Sequence, residues 1–409
     1  MRRRALWVCL AVVGVLCVVA ASLPVSHRFA ERLFESLRGG EIEQSVPIET
    51  AHIGGKGPGS LVSAMTMPAF LKAASSRDVQ AARVVYRSTN GDAGAETVVS
   101  GSVFTPAGTP PPGGWPIVAL AHGTTGLDKA CAPSLSNELL GLSEPVIGFV
   151  KSGYAVAVAD YQGLGEDGVH PYTDAKTAGL NVIDSVRALR HTFEGTSNRW
   201  LAFGGSQGGG ASWAADEQAK SYASELDLVG AVANSPSADI SELVRKAQER
   251  TLTTGQELGF AAVVEALARL HPGVNRDDFR SGAAAEHWEL LVSCDLSTGD
   301  DRDVAIKELT PDQFVPRTPT AADELHELVA KWALPQQPLS APMSVIYGGK
   351  DNLIDAQWTT DAIARACALG GVIDWELQPE KGHGDIDIKS EIPWVAERFA
   401  GKPAVNECP

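Results

Sequence analysis

The stretch RWLAFGGSQGGGASWAA, residues 199–215, sets an apolar run against a small-residue run and places a single serine, Ser206, among five glycines between them. Glycine inside regular structure costs roughly 0.5–1 kcal/mol relative to alanine, so a cluster this dense marks a sharp turn, a close approach of chains, or a flexible linker. The flanks decide which. RWLAFG (199–204) reads as a short buried strand and ASWAADEQAKSYA (211–223) as a helix, so Gly204-Gly205-Ser206-Gln207-Gly208 is a G-x-S-x-G turn from strand into helix. Such a turn holds the serine in a strained backbone conformation, and small residues two before and two after it let the chain segments pass. The hydroxyl then stands at a helix N-terminus, where the dipole favours negative charge. A phosphate-cradling loop is a poor alternative, because no G-K-[ST] follows.

Outward from this turn the pattern alternates. PIVALA (116–121) reads as a buried strand ending at HGTTG, and YAVAVAD (154–160) as another ending at YQGLG. Between the second and Ser206, KTAGLNVIDSVRALRHTF (176–193) carries Val182, Ile183, Val186 and Leu189 at helical spacing. LDLVGAVANSP (226–236), PMSVIYGGKD (342–351) and VIDWELQP (372–379) are further strands. Strands alternating with helices predict an α/β fold, a mostly parallel sheet flanked by helices. ARVVYRSTN and TVVSGSVFTP, within residues 45–105, predict an antiparallel hairpin ahead of the parallel part, and PAGTPPPGGWP (106–116) is a turn-rich connection. About one hundred residues, 238–338, break the rhythm and read as helical, as in LGFAAVVEALARL (258–270). They predict a cap or lid inserted between two parts of the core, 45–237 and 339–409, over the carboxyl end of the sheet, where ligand crevices form.

A serine is a weak nucleophile without a base, and the base needs an orienting group. In a strand–turn–helix setting of this kind the chain order is Ser, then Asp or Glu, then His. YGGKDNLID supplies Asp351 just past a strand, with Asp355 as a rival acid four residues on, and EKGHGDI supplies His383 past the next strand. Of nine histidines only His383 follows both serine and acid. The oxyanion needs N–H donors: the backbone of Gln207 is one, and AHGTTG (121–126) offers Gly123 or Thr124 as the other. His122 reads as a buried, hydrogen-bonded loop residue. Gly163-Leu-Gly165-Glu-Asp-Gly168 matches G-x-G-x-x-G after a strand, but Pro171 delays the helix, so no helix N-terminus meets a pyrophosphate. HGDID (383–387) lacks further ligands for a metal. No cofactor and no metal is implied.

The chain of 409 residues is 44% hydrophobic and 21% charged, an ordinary globular composition. Its N-terminus differs: MRRR, the uncharged run Ala5 to Leu23, then Pro24 read as an export signal, with AAS (20–22) a tolerable cleavage site. The run is also long enough to span a bilayer, so residues 1–22 are a cleaved signal peptide or a membrane anchor, and 23–44, with HRFAERLFESLR, a juxtamembrane linker. Without residues 1–22 the chain holds 31 basic and 50 acidic side chains, a net charge of −19, which argues against nucleic acid as a partner. Cys9 and Cys17 lie within the signal; Cys131, Cys294, Cys367 and Cys408 remain, an even number that fits two disulfides in an oxidising compartment, with three pairings open.

GLDKACAPS (126–134), YAVAVADYQGLG (154–165), GGSQGGGASWAA (204–215), GGKDNLID (348–355) and GHGD (382–385) together resemble the secretory lipase family, α/β-hydrolases that include the fungal lipase A type. The resemblance runs from about residue 45 to the C-terminus. It implies an α/β-hydrolase fold, an extracellular lipase or carboxylesterase with Ser206, Asp351 and His383 as triad, and a helical lid shaping an acyl tunnel; the N-terminal run leaves a cell-envelope location open beside secretion. It also implies the disulfides Cys131–Cys294 and Cys367–Cys408. One departure stands out: the fungal type carries an acidic residue in its oxyanion loop, whereas this chain has HGTTG. The expected partner is an ester or lipid. An acyltransferase, a peptidase or an exported binding module on the same fold are the alternatives, and the sequence does not fix the oligomeric state.

Overall fold

Valine, leucine and alanine alternate along the central strands, and the alternation assigns each face of the sheet. Val118, Val156, Leu201 and Val232 pack in one buried cluster with Ile147 and Trp394, while their neighbours Ala119, Ala157, Ala202 and Ala231 pack in another with Val186 and Trp213. The alanine face leaves room for helices to come close. The computed structural model describes residues 44–72 and 76–409. The expected signal or anchor, Cys9, Cys17 and nearly all of the juxtamembrane linker lie outside the described residues. Ser45–Pro409 forms one unit by its internal contacts.

The strands are β1 (Leu61–Thr66), β2 (Val79–Thr89), β3 (Glu96–Pro106), β4 (Trp115–Ala121), β5 (Ala155–Ala159), β6 (Thr196–Gly205), β7 (Asp227–Asn234), β8 (Met343–Gly348) and β9 (Ile373–Gln378). They form one sheet in the order β1-β2-β3-β5-β4-β6-β7-β8-β9. From β1 to β5 neighbours pair antiparallel, and from β5 through β9 they pair parallel. The expected hairpin is β2–β3, in register from Val79 opposite Pro106 to Thr89 opposite Glu96. The chain passes from β4 to β5 on one side and to β6 on the other, so the strand order reverses at β4, where open α/β sheets form their ligand crevice. This is the α/β-hydrolase fold.

A short helix α1 (Pro68–Leu71) follows β1, and α2 (Ser143–Lys151) covers the valine face. On the alanine face lie α3 (Ala175–Thr192) and α4 (Gln207–Tyr222). Asp174 caps α3, accepting from Thr177 N at 3.1 Å. α4 begins at Gln207 rather than at residue 211, where the alanine-rich run starts. Its first turn is Gln207-Gly-Gly-Gly, and those glycines seat the helix against the backbone of Asn234, Pro236 and Ser237.

Between β7 and β8 the chain forms α5 (Glu242–Glu249), α6 (Thr254–Leu270), α7 (Gly282–Glu286), α8 (Trp288–Val292), α9 (Gly299–Lys307) and α10 (Pro319–Ala330). Phe260, Trp288, Phe314 and Leu325 are buried here in a core of their own, which Ile354 and Trp358 of the second core segment join. Glu265 ties this layer together: Arg269 Nε at 2.7 Å, Arg276 Nε at 2.5 Å and Trp288 Nε1 at 2.8 Å donate to it. Burial alone would raise its carboxyl, but the Arg276, Trp288 and Arg269 hydrogen bonds bring it down to about 2. The chain's return to β8 is pinned by α4: Asp216 accepts from Ser340 N at 2.7 Å and Ala341 N at 2.9 Å, and Glu217 from Gln336 N at 3.1 Å. The fold closes with α11 (Ala356–Ala368), β9 and α12 (Glu391–Phe399).

Two disulfides form, Cys131–Cys294 and Cys367–Cys408, with Cα atoms 5.8 and 5.3 Å apart. This is the pairing the resemblance implies. The first ties the loop after β4 to the helical insert, and the second holds the C-terminus against α11. Among the described residues no helix is long and apolar enough to cross a membrane.

Candidate active site

One residue separates β6 from α4, and it is Ser206. Its backbone sits at φ 59°, ψ −123°, which few residues other than glycine adopt. Three backbone hydrogen bonds hold it there. Ser206 N–H donates to Asn234 O at 2.8 Å, and its carbonyl accepts from Gly210 N and Ser237 N, both at 3.1 Å. The glycines either side are required by contact: a Cβ on Gly204 would lie 2.1 Å from Gly208 O, and one on Gly208 would lie 2.1 Å from Ala121 O. The N–H groups of the first turn of α4 have no helical partner, so positive potential gathers beside the hydroxyl.

The acid and the histidine arrive on neighbouring strand ends. Asp351 follows β8 and His383 follows β9, and His383 Nδ1 lies 2.7 Å from Asp351 Oδ2. A carboxylate only accepts, so Nδ1 carries a proton, and in the neutral imidazole Nε2 then keeps its lone pair. The other oxygen of Asp351 accepts from Leu353 N at 2.8 Å and Ile354 N at 2.9 Å. Its carboxylate is buried, whereas the imidazole keeps a 20% exposed edge. The rival Asp355 is engaged elsewhere, with Lys246 Nζ at 2.8 Å and Gln256 Nε2 at 2.7 Å, both from the helical insert. In the HGDID loop Asp385 takes Gly382 N, and Asp387 takes Lys389 N at 3.1 Å.

The end of β7 supports both halves of the site. Asn234 and Ser237 hold Ser206, while Ser235 Oγ donates to His383 O at 3.2 Å. Behind them Asn234 Nδ2 donates to the buried Glu391 at 2.7 Å, and burial raises that carboxyl to about 8. The Ser206 hydroxyl has no hydrogen-bond partner among the described residues; catalytic hydrogen bonds commonly tighten only when substrate binds.

Gly123 adjoins the serine: a Cβ there would lie 3.7 Å from Ser206 Cβ. Thr124 Oγ1 pairs with Tyr172 OH at 2.8 Å. His122 is buried, spans Gly123 O at 2.6 Å and Asp160 O at 3.2 Å, and stacks on Tyr161 at 4.2 Å; burial lowers its pKa. The G-x-G-x-x-G run makes a tight loop ahead of α3. Gly163, at φ 80°, leaves no room for a Cβ, which would lie 2.3 Å from His170 N. That approach brings His170 to Gln207, Nε2 to Nε2 at 3.0 Å. A cavity of about 30 Å³ lies over Ser206 and Gln207, lined also by Tyr172, Thr173 and Ser237 and closed by Ile240, Leu243 and Val263 of the insert with Leu353 and Ile354. Sequence reasoning did not single out Asn234, His170, Tyr172 or Thr173. VHPYTD, which carries three of them, enters the sequence reading only as the segment whose Pro171 delays the helix after the G-x-G-x-x-G run.

A model of the family described as Secretory lipase matches residues 144–407, which include Ser206, Asp351 and His383. The chain belongs to the secretory lipase family. Within reach of this family is a protein of Mycobacterium tuberculosis (strain CDC 1551 / Oshkosh) named a probable inactive lipase, 28% identical over 80% of this chain and 75% of its own. Lipase 6 of Candida albicans is 25% identical over 63% of this chain and 58% of its own, so this chain spans little more than half of that relative. Among solved structures, Candida antarctica lipase A in its closed state superposes with a TM-score of 0.67 at 17% identity, covering 90% of this chain and 87% of that one. The rice cell wall degrading esterase LipA of Xanthomonas oryzae superposes with 0.62 at 19%, covering 84% and 97%. These structural likenesses show the fold alone.

Proposed function

We propose that the chain is an exported serine ester hydrolase, a lipase or carboxylesterase acting through an acyl-enzyme on Ser206. The observation that carries this reading is the 2.7 Å bond between Asp351 and His383, made past the carboxyl ends of β8 and β9, which run parallel to β7 and to the β6 that delivers a serine held at positive φ. His383 Nε2 takes the Ser206 proton as the oxygen adds to the ester carbonyl, and the imidazolium that forms is stabilised by Asp351. The oxyanion is received by Gln207 N–H and by the Gly123–Thr124 segment. His383 returns the proton to the departing alcohol, water then repeats the sequence on the acyl-enzyme, and the acid leaves.

Ile240, Leu243, Val263, Leu353 and Ile354 over the serine favour an apolar acyl group. The family and the two disulfides support an extracellular or envelope location, with residues 1–22 as cleaved signal or anchor. A second reading has one specific observation behind it, the relative named as a probable inactive lipase: the body is then a non-catalytic binding module. Transfer of the acyl group to an alcohol instead of water is the remaining variant, separable by product analysis.

The test is hydrolysis of p-nitrophenyl esters of short, medium and long acids by the full chain, beside Ser206→Ala and fluorophosphonate labelling. Turnover should fall by about ten thousandfold or more without the serine, and label should attach only when Ser206 is present. A folded, disulfide-bonded protein with neither turnover nor label moves the binding-module reading to the front.

A further inference from the structure

The carboxamide of Gln207 is oriented by two groups in series. His170 Nδ1 lies 2.9 Å from Gln162 O, and a carbonyl only accepts, so Nδ1 carries the proton. Burial lowers the pKa of His170 to about 4, which leaves the ring neutral near pH 7 and its Nε2 an acceptor. Gln207 Nε2, 3.0 Å away, is therefore the donor, and the amide has one permitted orientation, with Oε1 on the other side.

That oxygen is buried and has no partner among the described residues, and neither has Thr173 Oγ1. Gln207 is 4% exposed and Thr173 8%, and both line the cavity that Ser206 lines. Thr173 moreover sits at φ 70°, which a β-branched residue adopts only when its surroundings impose it. Buried polar atoms are paired in the working state of a protein, and unpaired ones ask what they receive.

We infer that Gln207 Oε1 and Thr173 Oγ1 form a hydroxyl-recognition subsite beside the nucleophile, so that the enzyme prefers esters bearing a hydroxyl close to the scissile carbonyl. The inference rests on Ser206 being the nucleophile. A hydroxyl gives one hydrogen bond, to Gln207 Oε1, and takes one, from Thr173 Oγ1. A carboxylate has nothing to give the amide oxygen. An ammonium would be stripped of water against Ile240, Leu243 and Val263, which also line the cavity. The cavity, about 30 Å³, has room for a hydroxyl or a water. A site built around paired polar atoms rejects the analogue that leaves them unpaired far better than an apolar pocket rejects an added group.

The hydroxyl can belong to the acyl half or the alcohol half of the ester, and two substrate pairs separate these. One is p-nitrophenyl β-hydroxybutanoate against butanoate, each corrected for its rate with hydroxide; the other is glyceryl monobutanoate against propyl butanoate. In the full chain, kcat/KM should favour the hydroxylated member of one pair by tenfold or more, and the responding pair names the half. That ratio should fall close to one in Thr173→Val and in Gln207→Met, and survive in Thr173→Ser. Reading a ratio within each variant makes the result independent of any change in overall activity. Ratios near one for both pairs in an enzyme that turns over the plain esters and takes fluorophosphonate would overturn the subsite and leave the hydrolase reading standing. A preference that persists in Thr173→Val and Gln207→Met would assign it to other residues and overturn the subsite as well. Neither turnover nor labelling would remove both.

Discussion

Asp351 Oδ2 lies 2.7 Å from His383 Nδ1, while Asp355, four residues further on, is turned into an ion pair with Lys246. Two acids so close in sequence therefore have separate duties. Asp351→Asn should lower kcat by about ten thousandfold with KM little changed, because the imidazole is then held in the wrong tautomer. Asp355→Asn should keep kcat within about threefold and cost about 1 kcal/mol of stability through the partly exposed Lys246 pair. Steady-state kinetics and melting of the two variants check this, and equal losses of kcat would contradict it.

The turn at Ser206 makes a steric prediction. A methyl on Gly208 would meet Ala121 O at 2.1 Å, whereas one on Gly148, inside α2, meets nothing within 4 Å. Gly208→Ala should cost roughly 3 kcal/mol or more through overpacking. Gly148→Ala should raise stability by about 0.4–1 kcal/mol by restricting the unfolded chain. Denaturant midpoints decide both.

Stability should decline from mildly acidic to neutral pH. Burial raises Asp174 and Asp184 to about 6, Glu217 to about 7 and Glu391 to about 8. Each holds its proton more tightly folded than unfolded, so the stability it contributes is complete below its unfolded pKa and is lost as pH rises through the folded value. Glu265, brought down to about 2, works the other way: its contribution is present above its unfolded pKa and is lost as pH falls towards 2. Melting temperature should therefore peak near pH 4–5 and fall steadily to about pH 8, with Glu391→Gln flattening the last part of the decline. A melting temperature that climbs from pH 5 to 8 would contradict the assignment.

The two disulfides should differ in worth. They close loops of 163 and 41 residues, and by loop entropy these stabilise by about 5 and about 4 kcal/mol. Replacing Cys131 and Cys294 together by serine should lower the melting temperature more than replacing Cys367 and Cys408. It should also free the insert, read as faster amide exchange in α8.

The sequence made the sheet legible because its central strands are short apolar runs bounded by glycine and proline; β4, β5 and β7 fall within a residue or two of where the runs begin and end, and β6 begins three residues ahead of its run. The start of α4 was harder to read, since three glycines resemble a loop until Asn234, Pro236 and Ser237 are seen pressed against them. Ser206, Asp351 and His383 could be nominated because each sits just past a strand. His170, Tyr172 and Thr173 could not, because their segment has no period. Their meaning depends on Gln207, which reaches them only through the fold. Asp351 is preferred to Asp355 on the sequence because it lies nearer the strand end; the groups that occupy Asp355, Lys246 and Gln256, carry no mark in sequence.

The Cys131–Cys294 bond also imposes an order of events. A chain delivered N-terminus first presents Cys131 long before Cys294, while Cys367 and Cys408 emerge almost together. Throughout that interval the first thiol has no rightful partner, because its partner arrives only with the helical segment between β7 and β8. Once made, the bond fastens that segment to the loop after β4, so the roof over the serine is tied covalently to the strand end beneath it.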